Sequence, residues 1–248
     1  MAYNFLIAPD FSPERFAGWH LLNTLLQKRS DLAVHLTTPA SHAEQSDLLA
    51  KGDIALIYAN PFDAAKMIRE QGYKAIARPV GKSDEMVIAS SAKGEIKTLD
   101  DLKKGATIAM ADNRDVKLIG MRLLEAVDLG EDDVKFDIVE TYQAAARALI
   151  AGKADAAFFI AEVFETLSNL TKSQLNVLIE SNIATISHVV LVKEGFEHTD
   201  TLTDVLLSLN KDADGQAVLN ELGMPEGFEA MQEEDAEFMI DLMETLLS

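Results

Sequence analysis

Asp112–Asn113–Arg114–Asp115–Val116 opens a stretch that continues Lys117–Leu118–Ile119–Gly120–Met121–Arg122–Leu123–Leu124, directly after the apolar run Ala106–Met110. The run reads as a buried strand. The stretch reads as the helix after it, because Val116, Ile119, Leu123 and Val127 recur at the spacing of one buried helical face. A strand that ends at a helix start collects free backbone N–H groups and the positive end of the helix dipole at one point, where a small anion is favoured. The expectation is an α/β protein with its binding residues at such turns.

Working outward, the same alternation fills the chain. Toward the N-terminus, Phe5–Ala8 and Leu32–Leu36 read as strands. Between them a helix capped by Ser12 and started by Pro13 sets Phe16, Trp19, Leu22 and Leu26 on a core face. Ser41 and Glu44 have capping-box spacing, and Gly52 ends that helix before the strand Asp53–Tyr58. Asn60–Pro61 starts the next helix, Gly72 closes it, and Lys74–Val80 is again a strand. A second series follows: Met86–Ser90, a short capped helix at Thr98–Leu102, Ala106–Met110, Val134–Val139, a helix over Tyr142–Ala151, Asp155–Ile160 and Leu175–Glu180. A long strand from Ala184 to Val192 and helices over Thr201–Asn210, Gly215–Leu222 and Asp235–Leu247 complete the chain. Such alternation calls for mostly parallel sheets flanked by helices. Two series without a Pro/Gly/Ser-rich linker indicate two domains between which the chain crosses more than once. The turns at Leu49–Leu56 and Ile150–Phe158 are alike, each ending a helix at glycine and launching a strand from Asp.

Length and composition bound the function. A chain of 248 residues, 48% hydrophobic and 25% charged, buries a sizeable core in two domains. A net charge of -19 disfavours nucleic acid, whose phosphates need cationic partners. With no cysteine there is neither a disulfide nor a thiol nucleophile. No apolar run approaches the roughly 20 residues that span a bilayer, so membrane insertion is not expected. The N-terminus lacks the pattern of a secretion signal, which reads as cytoplasmic as the sequence stands and periplasmic if a signal was removed. Histidines 20, 35, 42, 188 and 198 show no metal-ligand spacing, and no dinucleotide, P-loop or serine-hydrolase motif is present. Neither a metal nor a cofactor is therefore expected. Asn210, Asp212, Asp214 and Gly215 have the spacing of a calcium loop, but Ala217–Leu219 carries the chain into a helix instead.

In order, these landmarks resemble the phosphonate/phosphite-binding family of ABC importers, which has the type 2 periplasmic-binding-protein fold. Leu48–Ala55 is similar to the family's "aL..G.vDia". Met86–Ala89 followed by Ile96–Ala109 is similar to "i.sl.DLkGk.va", and Ala148–Ala157 is like the first of these turns. Asp214–Leu219 with Leu222–Phe228 is similar to the C-terminal "d..G..vL..lg...gF". The resemblance covers nearly the whole chain. It implies two lobes joined by crossovers near Gly81–Asp84 and Asn182–Ser187: residues 1–82 plus 186–248 as one, 83–185 as the other. A small ligand would be clamped between them, and an ABC permease or a signalling partner would read the closed state. The family's serine-rich phosphonate turn is replaced here by Asn113–Val116, and a family aromatic by Ser83–Glu85. Tyr142 falls where phosphonate binders often carry His, Glu162 keeps an acidic position that holds a ligand amine, and His188 replaces an acidic residue.

The candidate ligand contacts are Asp10, Ser41, His42, Tyr58, Asn60, Asp84, Glu85, Asn113, Arg114, Asp115, Tyr142, Glu162 and His188. Each has a plainer reading. Ser41, Asn60 and Asn113 cap helices, Asp115 complements a helix dipole, Glu162 is a first-turn acid, Asp10 is a turn residue and His188 is a strand histidine. Carboxylates at Asp84, Glu85 and Asp115 disfavour a doubly charged ligand, since two like charges at about 4 Å cost about 4 kcal/mol at an effective dielectric of 20. Arg114 offsets part of this and suits a carboxylate. The expected ligand is a small anion or zwitterion, phosphonate-like or carboxylate. The alternatives are a cytoplasmic lyase or dehydratase using Asp84, Glu85 or Glu162, and a ligand sensor on the same fold.

Overall fold

A computed structural model describes residues 2–9, 13–182 and 186–247. Strand β1 (Tyr3–Ile7) leads through a short 3-10 turn at Pro13–Arg15 into α1 (Phe16–Ser30). Then come β2 (Val34–Thr37), α2 (His42–Ala50), β3 (Ile54–Ala59), α3 (Pro61–Glu70) and β4 (Tyr73–Pro79). The second series is β5 (Met86–Ser91), β6 (Thr107–Ala111), α4 (Arg114–Leu124), β7 (Lys135–Val139), α5 (Tyr142–Ile150), β8 (Ala156–Ile160), α6 (Ala161–Thr166), α7 (Asn169–Lys172) and β9 (Leu175–Glu180). The chain ends with β10 (Val189–Lys193), α8 (Thr199–Leu207), α9 (Ala213–Leu222), β11 (Phe228–Ala230) and α10 (Glu233–Leu247).

Contacts between backbone positions group these elements into two compact units. One comprises Met1–Ser83 with Thr185–Thr245, the other Asp84–Ala184 with Leu246–Ser248. The first holds a six-stranded sheet ordered β11-β4-β10-β3-β1-β2. There β1 lies parallel to β2 and β3, while β10 runs antiparallel to both β3 and β4. The second holds a five-stranded sheet ordered β7-β6-β8-β5-β9. In it β6 is parallel to β7 and β8, and β5 is antiparallel to β8 and β9. In each sheet a reversed strand, β5 or β10, is inserted between two strands of the common direction, and in the first unit β11 at the sheet edge is antiparallel to β4 as well.

Side-chain alternation fills both faces of each sheet. In the first unit Phe5, Ile7, Leu56, Tyr58, Val190 and Val192 pack under α1, α8 and α9, through Trp19, Leu22, Leu202 and Leu219. Leu6, Ile57, Val189 and Leu191 face the other way, onto Ala64 and Met67 of α3 and Met239 of α10. In the second unit Val87, Ala89, Ala109, Ala157 and Phe159 pack on Ala145 and Leu149 of α5. Each such large apolar side chain contributes about 2 kcal/mol when fully buried.

The structure departs from the sequence reading in places. Ser12, the expected helix cap, lies outside the described residues. Pro13 begins a 3-10 turn, and Phe16 is 47% exposed, set edge-on to His20 rather than in the core. The buried face of α4 runs through Val116, Ile119, Gly120 and Leu124, stepping by three or four residues as an α-helix does, while Leu123 and Val127 are only half-buried. Of the strand expected over Ala184–Val192, Ala184 and Thr185 lie outside the described residues, Ile186–His188 are not in a strand, and β10 begins at Val189. The calcium-type spacing at Asn210–Gly215 is a helix start: Asp212 caps α9 by accepting from the Gly215 N–H at 2.9 Å and pairs with Arg29 at 2.8 Å.

Candidate functional site

The registers carry the candidate residues to one edge of each sheet, where the parallel strands end. In the second unit β6, β7 and β8 end at Ala111, Val139 and Ile160. The antiparallel β5 starts at that edge, with Met86 opposite Ile160, and β9 ends there, with Glu180 opposite Val87. Clefts of α/β proteins form at this kind of edge.

Asn113 is the N-cap of α4. Its extended backbone (φ -138°, ψ 112°) lets the side-chain Oδ1 accept from the Val116 N–H at 3.0 Å. Arg114, the first helical residue, is exposed, and among the described residues no hydrogen bond or ion pair holds its guanidinium. Asp115 follows in the first turn, half-buried. A Cβ built on Gly120 would lie 2.3 Å from Phe158 Cε2, so only glycine lets α4 lie this close to β8 and sets its first turn at the end of β6. Tyr142 is the first residue of α5, after the N-cap Thr141; its ring tilts against Phe159 with centroids 6.2 Å apart. Glu162 is an exposed acid in the first turn of α6. Asp84 and Glu85 are half-buried. Glu85 is built into the edge: its carbonyl accepts from Ala161 N–H at 2.8 Å, and its carboxylate accepts from the hydroxyl of buried Ser181. Ser181 in turn accepts from Met86 N–H at 2.9 Å. Ser181 was not a sequence candidate; its partner Glu85 lies 96 residues away, and no local pattern links them.

In the first unit the matching edge holds the ends of β1, β2, β3 and β4 and the start of β10, where Val189 lies opposite Ala59. Tyr58 is almost fully buried; one face meets Trp19, with centroids 4.5 Å apart, and His188 stacks on it at 5.1 Å. His188 is half-buried. Ser41 caps α2 by accepting from Glu44 N–H at 3.2 Å, but the Glu44 carboxylate accepts from Ala40 N–H at 2.7 Å, one residue before the cap, so the reciprocal half of the expected capping box is shifted. Asn60 is buried and caps α3 through Asp63 N–H at 2.8 Å. Asp63 collects side chains from two helices. Its Oδ2 accepts from Gln45 Nε2 at 2.6 Å and Asn60 Nδ2 at 3.2 Å, and His42 Nδ1 lies 3.7 Å away. Neither Asp63 nor Gln45 was a sequence candidate, although Asn60 and Asp63 have capping spacing that could have marked the first. Asp10 lies outside the described residues.

Among the described residues, no group of three or more His, Asp or Glu side chains could hold a metal ion, and no helix is long and apolar enough to cross a membrane. The site chemistry is that of hydrogen-bond donors, fixed charges and aromatic rings.

A fold of two α/β units, each with polar groups at the C-terminal edge of its sheet, defines a protein of the periplasmic-binding-protein class. A family model described as "ABC transporter, phosphonate, periplasmic substrate-binding protein" matches residues 5–236, and the chain belongs to that family. It is a solute-binding protein, for which the family implies a small-molecule ligand and a permease partner. No curated protein matches it by sequence. Among solved structures it is similar to PhnD1 from Prochlorococcus marinus in complex with methylphosphonate. That match has TM-score 0.82 at 16% identity, covering 99% of this chain and 98% of the other. It is also similar to XAC2383 from Xanthomonas citri bound to ATP (TM-score 0.81, 11% identity, 99% and 98% covered). The periplasmic aliphatic sulphonate binding protein SsuA from Escherichia coli matches at TM-score 0.68 and 16% identity, with 99% and 91% covered. At these identities the structural likeness carries the fold. The enzyme alternative is not favoured by these relationships.

Proposed function

We propose that the chain binds a small singly charged or zwitterionic solute and delivers it to an ABC permease on the outer side of the cytoplasmic membrane. The observation that carries the ligand class is Arg114. It is an exposed guanidinium at the start of α4, held by no ion pair among the described residues, on an edge otherwise lined by Asp84, Glu85, Asp115 and Glu162. One cation and a helix N-terminus suit one negative charge, and the surrounding carboxylates oppose a second. Arg114 and the first N–H groups of α4 take the anionic end, and Glu162 takes an ammonium or hydroxyl group. The edge of the first unit adds His188, Tyr58, His42 and Ser41.

On this reading the crossovers that the family resemblance implies, near Gly81–Asp84 and Asn182–Ser187, serve as hinges. Solute stabilises the closed form through contacts available only there. The test is small-angle scattering with and without a solute that raises the melting temperature. A smaller radius of gyration on binding supports closure, and an unchanged profile at saturation refutes it.

A further inference from the structure

The chain leaves the first unit after Ser83, enters the second at Asp84, and leaves the second after Ala184. Both passages start from one strand pair inside the second unit: β5 begins at the first, β9 ends at the other, and the two strands are antiparallel neighbours. The last pair of their ladder at this end is Val87 with Glu180. One step beyond, Ser181 N–H donates to Met86 C=O at 2.9 Å, as the next antiparallel pair requires. The return bond is different. Met86 N–H donates to Ser181 Oγ at 2.9 Å, where a continuing ladder would use the Ser181 carbonyl. The same hydroxyl, on a residue only 5% exposed, donates to the Glu85 carboxylate. Glu85 is fixed through its backbone as well, its carbonyl accepting from Ala161 N–H at 2.8 Å. The ladder is thus closed by a side chain, and a charge-assisted bond holds the point at which it stops.

We infer that Ser181 and Glu85 form the fixed base of the hinge: they set the point beyond which both crossovers bend, so that the two passages turn together on one rigid strand pair. The inference rests on the closure reading above and names the side chains that carry it. Strand ends ordinarily fray. A frayed base would let each passage bend by itself and over a longer stretch. The open form would then spread over more arrangements, and a solute would have to order them on binding. Ser181 is a positioning residue in this scheme, acting through Glu85 and the strand ends.

The chain has no cysteine, so a dye pair can be attached through Ala40→Cys and Glu140→Cys, exposed residues that follow β2 and β7 in the first and second units. Single-molecule energy transfer is read without solute on the labelled parent, Ser181→Ala, Glu85→Gln and the double variant, each checked for a cooperative melt. Ser181→Ala should widen the distribution of transfer efficiencies. Glu85→Gln, which keeps an acceptor but not the charge, should widen it less and add nothing in the Ser181→Ala background; it also covers the case in which Ser181→Ala does not fold. A folded Ser181→Ala protein of parent width overturns the inference, as does a Glu85→Gln effect that adds in full to that of Ser181→Ala. Calorimetry with methylsulfonate and methylphosphonate then separates hinge from contact surface. Ser181→Ala should raise the dissociation constant of each ion that binds by one common factor, about threefold to tenfold. A loss confined to one ion would assign Ser181 to solute contact and overturn the inference. The widths are read without solute, so they decide the inference even where neither ion binds. A parent distribution that a bound ion leaves unmoved overturns the closure reading, separately from the Ser181 comparison.

Discussion

The imidazole of His188 stacks on the phenol ring of Tyr58, with centroids 5.1 Å apart and planes 22° from parallel, and Tyr58 in turn touches Trp19. Trp19 is the chain's single tryptophan and is almost fully buried. Any solute that settles against His188 therefore perturbs a ring stack that ends on one fluorophore. Binding should change Trp19 emission, and His188→Ala should abolish most of that change while lowering stability by about 1 kcal/mol, the scale of one aromatic pair. A full emission change in His188→Ala would separate the stack from the ligand.

Gly120 and Phe158 fix the height of α4 above the second sheet. Gly120→Ala would gain about 1 kcal/mol of helix propensity, but its Cβ would fall 2.3–2.8 Å from three ring atoms of a fully buried phenylalanine. Overpacking of this kind costs about 1–3 kcal/mol, and here the obstacle is a rigid ring. The expected net result is a loss of about 1–2 kcal/mol in urea denaturation, with weaker anion binding because the first turn of α4 is displaced. A variant as stable as the parent, with parent affinity, would contradict this.

Asn113 separates capping from ligand charge. Asn113→Ala removes the acceptor for Val116 N–H and should cost about 1 kcal/mol. Asn113→Asp keeps a cap of equal quality, so stability should hold, yet it adds a carboxylate beside Arg114 and should weaken anion binding about tenfold. Equal affinities in Asn113→Asp and the parent would remove this turn from the site.

Both the legible and the hidden parts of this molecule follow from the range of the interactions involved. The alternation of strands and helices is local: it is written in periods of two and of about 3.6 residues and in caps such as Ser41, Asn60 and Asn113. The sequence pattern sets Phe16 on the core face of α1, but a helical face says nothing about where the helix leaves its sheet, and this first residue of α1 is exposed. The three-residue β11 and the short α6 and α7 are too brief to show a period. Within the site, candidates at strand ends could be named from position alone. The partners of Asp63 and Ser181 could not, since Gln45 and Glu85 lie 18 and 96 residues away and meet them only in the folded units.

Tyr73 predicts how the first unit behaves in alkali. Its hydroxyl donates to Ile54 C=O at 2.9 Å, and burial pushes its pKa from 10.0 up to about 12. The unfolded chain then ionises this phenol at lower pH than the folded chain does. The stability it lends is complete below about pH 10 and is lost as pH rises toward 12, by about 2–3 kcal/mol. Tyr73→Phe should flatten the fall in denaturation midpoint across that window. A fall as steep as the parent's would assign the alkaline loss to other groups.

The most direct test is calorimetry of small carboxylates, amino acids, methylsulfonate, phosphate, phosphite and methylphosphonate, on the parent protein and on Arg114→Ala. The account predicts that the tightest ligand is singly charged or zwitterionic. It also predicts that Arg114→Ala weakens that ligand by about 2–3 kcal/mol, the worth of a charge-assisted contact, or roughly a hundredfold. Micromolar binding of dianionic methylphosphonate that survives the loss of Arg114 would contradict it.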